Sequence, residues 1–118
     1  MKPTVYGIRN CDTMKKAFAW LESHGVDYAF HDYKKDGVPS GKLKAWAAKA
    51  GWEKLANTRG PTWRKIPEAE KLALNEARAL ALLEKNSSAI KRPVVEYGGN
   101  LLVGFDAEEF ASRITKPR

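Results

Sequence analysis

Thr4-Val5-Tyr6-Gly7-Ile8-Arg9-Asn10-Cys11-Asp12-Thr13-Met14-Lys15-Lys16 is the stretch whose reading decides the fold. Val5, Tyr6 and Ile8 are β-branched or aromatic, and Gly7 and Asn10 interrupt them, which predicts a short strand entering a tight loop. From Asp12 the period changes. Met14, Ala17, Phe18 and Leu21 recur at three- and four-residue spacing, one face of an amphipathic helix. Cys11 therefore falls where strand hands over to helix. Backbone N–H groups without intrahelical partners and the positive end of the helix dipole favour a thiolate there. Arg9, Lys15 and Lys16 add positive charge, and Asp12 opposes it. A free cysteine is commonly a small buried hydrophobe; the loop-to-helix position turns the reading towards a reactive thiol.

Working outward, Ser23-His24-Gly25 is read as the helix stop, with Gly25 suited to a left-handed conformation and His24 at the negative end of the dipole. Val26 to Tyr33 alternates and predicts a second strand, so the first third of the chain is a right-handed βαβ unit with parallel strands. After the polar turn Lys34–Pro39, a helix is expected with Leu43, Trp46, Ala47 and Ala50 on one face and Gly51 as its stop. Trp52 to Ile66 has no stable period. Its Asn57-Thr58-Arg59-Gly60-Pro61-Thr62-Trp63-Arg64-Lys65 segment reads as a loop at the rim of a site, the alternative being a plain connection with solvated charges.

Helical signals return at Pro67, a first-turn residue, and at Asn75, a cap for a helix carrying Leu80 and Leu83. Val94–Tyr97 and Leu101–Val103 flank Gly98-Gly99-Asn100, the pattern of an antiparallel hairpin. Asp106 followed by Glu109 resembles a capping box before a last helix that buries Phe110 and Ile114. The order is βαβ, a helical block, then ββα. That order predicts an α/β protein with a mixed sheet and a thioredoxin-like plan, one domain over residues 1–118 with a helical insertion at about 39–88.

Composition limits the classes of function. With 118 residues the chain can close a hydrophobic core without staples. One cysteine excludes an internal disulfide and fits a reducing compartment. No run approaches the roughly 20 apolar residues of a membrane span, and Met1-Lys2-Pro3 leads straight into a strand rather than a signal peptide. A cytoplasmic protein without a membrane partner is expected. Lys and Arg outnumber Asp and Glu by 21 to 14, which favours anionic partners. These cations are spread from Lys2 to Arg118 in runs no longer than two, which reads as solvated surface rather than a nucleic-acid face.

Three further residues join Cys11. Arg92 stands immediately before Pro93 at the entry to the third strand, Arg59 lies in the helical region, and Asn10 could donate a hydrogen bond to a thiolate or oxyanion. Arginine presents a planar fork matched to carboxylates and tetrahedral oxyanions.

With Tyr6-Gly7-Ile8-Arg9-Asn10-Cys11-Asp12-Thr13, Arg59 and Lys91-Arg92-Pro93-Val94-Val95, the chain resembles the glutaredoxin-coupled arsenate reductase (ArsC) and Spx family over nearly its whole length. The Asn-Cys-Asp-Thr-x-Lys-Lys version looks closest to its YffB-like, arsenate reductase-related branch. The resemblance implies that Pro93 is cis and faces the cysteine, that Cys11 is the nucleophile, and that Arg59 and Arg92 hold the anion. It also implies glutathione as co-substrate and glutaredoxin as a regenerating partner, with neither a metal nor a bound organic cofactor.

Two departures shape the expected activity. The third arginine of the family falls near the end of the fourth strand, where this chain has Val103-Gly104-Phe105. A charge-assisted contact worth about 1.5–3 kcal/mol is missing there. Spx-type regulators carry a second cysteine three residues after the first, where this chain has Met14, so a dithiol switch is excluded. A glutathione-dependent thiol reductase with one nucleophilic cysteine is the leading expectation. Arsenate reductase proper is the alternative among enzymes, and a Spx-like regulator that binds RNA polymerase without catalysis is the alternative of another class.

Overall fold

The computed structural model describes residues 2–72 and 74–114. The outermost residues of the expected 1–118 domain, Met1 and 115–118, lie outside the described residues. The chain forms two compact units, Met1–Gly37 with Arg92–Arg118, and Val38–Lys91. The inserted unit is thus slightly longer at both ends than the 39–88 expected.

The first unit contains β1 (Thr4–Gly7), α1 (Asp12–Ser23), β2 (Ala29–Asp32), the short α2 (Tyr33–Asp36), β3 (Val94–Tyr97), β4 (Asn100–Val103) and α8 (Ala107–Arg113). The sheet order is β2-β1-β3-β4. β1 runs parallel to β2 and antiparallel to β3, and β3 pairs antiparallel with β4. This is the mixed sheet expected. Val5, Val95 and Leu102 turn one sheet face towards Met14, Ala17 and Leu21 of α1 and Phe110 of α8, forming one core with Val26 and Ile114. Most of these side chains are fully buried, and each large one contributes about 1.5–3 kcal/mol of transfer free energy.

Local chemistry sets the boundaries. Gly25 adopts φ 67°, and the N–H groups of Gly25 and Val26 bond back to Glu22 and Leu21 at 3.1 and 2.9 Å, closing α1. His24 Nδ1 lies 2.8 Å from the Trp20 carbonyl oxygen and its ring stacks on Trp20, in keeping with a helix-end role. β2 is shorter than the Val26–Tyr33 expected. Val26 belongs to the helix closure and the core, while Asp32 accepts from the Lys34 N–H at 2.9 Å and starts α2. Gly98 and Gly99 take φ 55° and 56°, the two left-handed positions of a tight hairpin turn, so β4 begins one residue earlier than expected, at Asn100. Asp106 accepts from the N–H groups of Glu108 and Glu109 at 2.9 and 3.1 Å and caps α8.

The second unit contains α3 (Ser40–Ala50), α4 (Trp52–Leu55), α5 (Pro61–Arg64), α6 (Glu68–Leu72), α7 (Glu76–Lys85) and a 3-10 turn at Ser87–Ala89. Leu43, Trp46, Leu55, Ala79 and Leu83 form its buried side, and Gly51 ends α3 at φ 87°. Asn75 accepts from the Arg78 N–H at 2.9 Å, the cap its position suggested. Pro67 stands just before α6, its carbonyl accepting from Glu70 and Lys71. The stretch expected to be irregular, 52–66, instead carries α4 and α5. Their single turns are too short to show a period, and the backbone between them is held by an Ala56–Ile90 bridge. No helix among the described residues is long and apolar enough to cross a membrane.

Candidate functional site around Cys11

β1 delivers the chain to Gly7, and the approach there is close. A Cβ on Gly7 would lie 2.6 Å from Met14 Sδ, so glycine lets the first turn of α1 sit against the strand end. Met14 itself is fully buried. Arg9 and Asn10 then form a tight turn closed by the Cys11 N–H, which donates to the Arg9 carbonyl at 3.1 Å. Cys11 takes extended backbone angles (φ −151°, ψ 132°) as the N-cap of α1, and its carbonyl accepts the Lys15 N–H at 2.9 Å.

The sulfur is half-buried. Burial alone pushes the thiol pKa up, but the opposing interactions win and hold it below its ordinary value. The backbone N–H groups of Met14 and Thr13 face the sulfur without completing a capping hydrogen bond, and Arg92 adds its charge and a hydrogen bond. Arg9, Lys15 and Lys16, expected to help, are not among the causes. Their side chains belong to the exposed surface, where charges are screened by solvent.

Arg92 and Pro93 are joined by a cis peptide bond, and Pro93 is buried with its carbonyl accepting the Gly104 N–H at 2.8 Å. Among the described residues, Asn10 is exposed and its carboxamide makes no hydrogen bond, to Cys11 or elsewhere. Arg59 lies exposed in the turn after Asn57, in the second unit. A depression of about 390 Å³ in that unit, lined by Lys65, Ile66, Leu82 and Lys85 among others, shares no residue with the Cys11 group. No group of three metal-ligating side chains occurs among the described residues.

Sequence reading missed a polar cluster on the sheet face turned away from α1. The Tyr6 hydroxyl donates to Glu96 Oε1 at 2.8 Å, and the Tyr6 ring lies 5.3 Å from His31. Tyr33 is buried, and its hydroxyl has no hydrogen-bond partner among the described residues. Burial first, then the neighbouring Tyr6 and Glu96, push its pKa far up, with Arg92 opposing. The signal was present in the alternation: Tyr6 and His31 are register partners, and Glu96 is two residues from Val94, the Tyr6 partner on β3.

A parallel βαβ unit and an antiparallel ββα unit, a cysteine at the first helix start and a cis proline beside its arginine partner define a single-cysteine protein of thioredoxin-like fold. The chain belongs to the ArsC family, whose model matches residues 6–112. It is similar to the solved structure of the YFFB protein, with TM-score 0.93 and 46% identity over 97% of this chain and 100% of that one. An arsenate reductase (ArsC) related protein from Brucella melitensis has TM-score 0.77 and 45% identity, covering 98% and 97% of the two chains. An uncharacterized protein of Haemophilus influenzae is 42% identical over 107 residues, 91% of this chain and 94% of its own.

Proposed function

We propose that the protein is a glutathione-dependent thiol reductase in which Cys11 is the sole nucleophile. The observation that carries this reading is the place of Cys11 at the N-cap of α1, where burial pushes the thiol up but the Met14 and Thr13 N–H groups and Arg92 hold it below its ordinary value. With one cysteine in the chain, no internal thiol can resolve an adduct, so an external thiol must.

The cycle balances with glutathione alone. The Cys11 thiolate attacks the glutathione sulfur of a mixed disulfide R–S–S–G. The S–S bond of the mixed disulfide breaks, the substrate thiolate leaves and takes a proton, and Cys11–S–S–G forms. A second glutathione, as thiolate, attacks the glutathione sulfur of this adduct. Oxidised glutathione leaves and the Cys11 thiolate returns, so each mixed disulfide is reduced by one free glutathione, the other half of the oxidised product coming from the substrate. Glutaredoxin could take the place of the second glutathione. Arg92 stabilises the attacking thiolate and meets an incoming carboxylate, Pro93 carries Arg92 beside the sulfur, and the Asn10 carboxamide donates to the bound ligand.

Intact-mass spectrometry after exposure to oxidised glutathione tests the reading. An adduct of about 305 Da on Cys11, absent in Cys11→Ser and removed by reduced glutathione, is expected. Reaction of Cys11 with small alkylating agents but no such adduct would overturn it. The anion-holding role that the family resemblance gives Arg59 is tested alongside, since Arg59→Gln should slow adduct formation several-fold at pH 7.

A further inference from the structure

We infer that Arg9, seated over the ring of Phe30, is a carboxylate anchor for glutathione beside Cys11, an inference that rests on the glutathione reading above. The Arg9 guanidinium carbon lies 5.3 Å from the Phe30 ring centroid. That stack is held from behind. Phe18 meets Phe30 edge-on at 5.1 Å and stacks on Tyr28 at 5.4 Å, and the Tyr28 hydroxyl donates to Glu22 at 3.0 Å. An exposed arginine normally samples many rotamers. Here the guanidinium sits over an aromatic ring whose own position is fixed from α1 and β2.

The ring contact takes up none of the N–H donors of the fork in a hydrogen bond, which leaves them for a ligand. No carboxylate among the described residues forms an ion pair with Arg9. The fork is also tied to the reaction centre through its backbone, because the Arg9 carbonyl accepts the Cys11 N–H at 3.1 Å. Arg9 and Cys11 are two residues apart, a span of at most about 7 Å of chain, which keeps the Arg9 backbone close to the nucleophile. A tripeptide bonded through its central cysteine extends a carboxylate to either side of the sulfur, at a reach that a long, supported arginine can meet.

Arg9 and Arg92 then divide the work. Arg92 acts on the sulfur, whereas Arg9 is not among the groups that set the acidity of Cys11. Burial and then Glu22 push the Tyr28 phenol up, and the Arg9 charge opposes them. An anchor of this kind governs which disulfides are accepted and leaves the thiolate population to other groups. Arg9 is thereby a specificity residue.

The experiment compares second-order rates of Cys11 modification by oxidised glutathione and by the uncharged bis(2-hydroxyethyl) disulfide, at pH 7, for the parent, Arg9→Gln, Arg9→Lys and Phe30→Leu. Iodoacetamide titration of Cys11 is run on each variant. In both exchanges the Cys11 thiolate attacks one sulfur of the reagent, and the other sulfur leaves as the free thiol after protonation. The expected result is a ratio of the two rates about tenfold lower in Arg9→Gln, which is one decade of binding selectivity. A smaller loss is expected in Arg9→Lys and in Phe30→Leu, with the Cys11 inflection of Arg9→Gln where the parent has it. An unchanged ratio in Arg9→Gln, with the parent forming the glutathione adduct, overturns the anchor and leaves the proposed function standing. Parallel loss of both rates with a raised Cys11 inflection overturns it as well, because Arg9 would then act through the thiol. A parent that reacts with the uncharged disulfide and forms no glutathione adduct removes both the anchor and the reading beneath it.

Discussion

Arg92 presents both its charge and a hydrogen bond to the sulfur of Cys11, from the other side of the β1–β3 pairing. This pair makes the first prediction. Iodoacetamide alkylation of the parent should inflect below the value of about 8.5 for a free cysteine. Arg92→Gln should move the inflection up and slow alkylation at pH 6.5 about tenfold, since a charge-assisted hydrogen bond and a full charge are lost together. Arg92→Lys should recover part of the effect, as lysine keeps the charge without the fork. An inflection in Arg92→Gln equal to that of the parent would show that the backbone N–H groups alone acidify the thiol.

The same acidification links folding to pH. The Cys11 pKa is lower in the folded chain than its ordinary value, so the unfolded chain binds more protons at intermediate pH. The stabilisation is fully present above the unfolded thiol pKa and is lost as pH falls through the folded pKa. The stability difference between parent and Cys11→Ser should therefore grow in favour of the parent as pH rises from about 5 to 9. Urea unfolding at several pH values measures it. A flat difference would contradict a depressed folded-state pKa.

Gly7 and Met14 make a packing prediction at the base of the site. A Cβ at Gly7 would lie 2.6 Å from Sδ and 2.7 Å from Cε of Met14, a side chain with no solvent exposure. Gly7→Ala should cost about 1–3 kcal/mol as Met14 is forced aside, and Met14→Ala about 2–5 kcal/mol through the cavity it leaves. The double variant should cost less than the sum, because the new methyl enters part of that cavity. Chemical denaturation of the four proteins checks the cycle, and strict additivity would contradict the contact.

What could be read from the sequence was what lies close together in it. The entry of β1 into α1 is marked by Gly7, by the change of period at Asp12 and by the Gly25 closure, so the position of Cys11 followed. The hairpin followed from Gly98-Gly99, and Arg92 beside Cys11 followed from the family resemblance. The pairs that cross strands were hidden, because they depend on register. Tyr6 reaches Glu96, and Arg9 reaches Phe30, only once β1 is set between β3 and β2. Tyr33 was read as the last residue of a strand. The Asp32 cap turns it instead into α2 and buries its phenol, a local hydrogen bond overriding an alternating pattern.

Substrate preference gives the last prediction: arsenate turnover should be weak, while the glutathione adduct at Cys11 should form readily. The family resemblance expects a third arginine near Val103-Gly104-Phe105, and the backbone there is unsuited to one at its centre. Gly104 has φ 82°, a left-handed conformation that costs an L side chain, and its N–H is committed to the Pro93 carbonyl at 2.8 Å. Phe105 is packed edge-on against Phe110 at 4.9 Å. A tetrahedral oxyanion thus lacks one of its charged donors, and removing a single donor of that kind can cost roughly 100-fold or more in rate. Glutathione depends less on such a clamp, because its two carboxylates can bind separate cations while its sulfur meets the thiolate directly. A paired assay decides the matter, with arsenate reduction followed in the presence of glutathione and glutaredoxin, and glutathionylation followed by intact mass. Vigorous arsenate turnover without a Cys11 adduct would reverse the order of the two substrates.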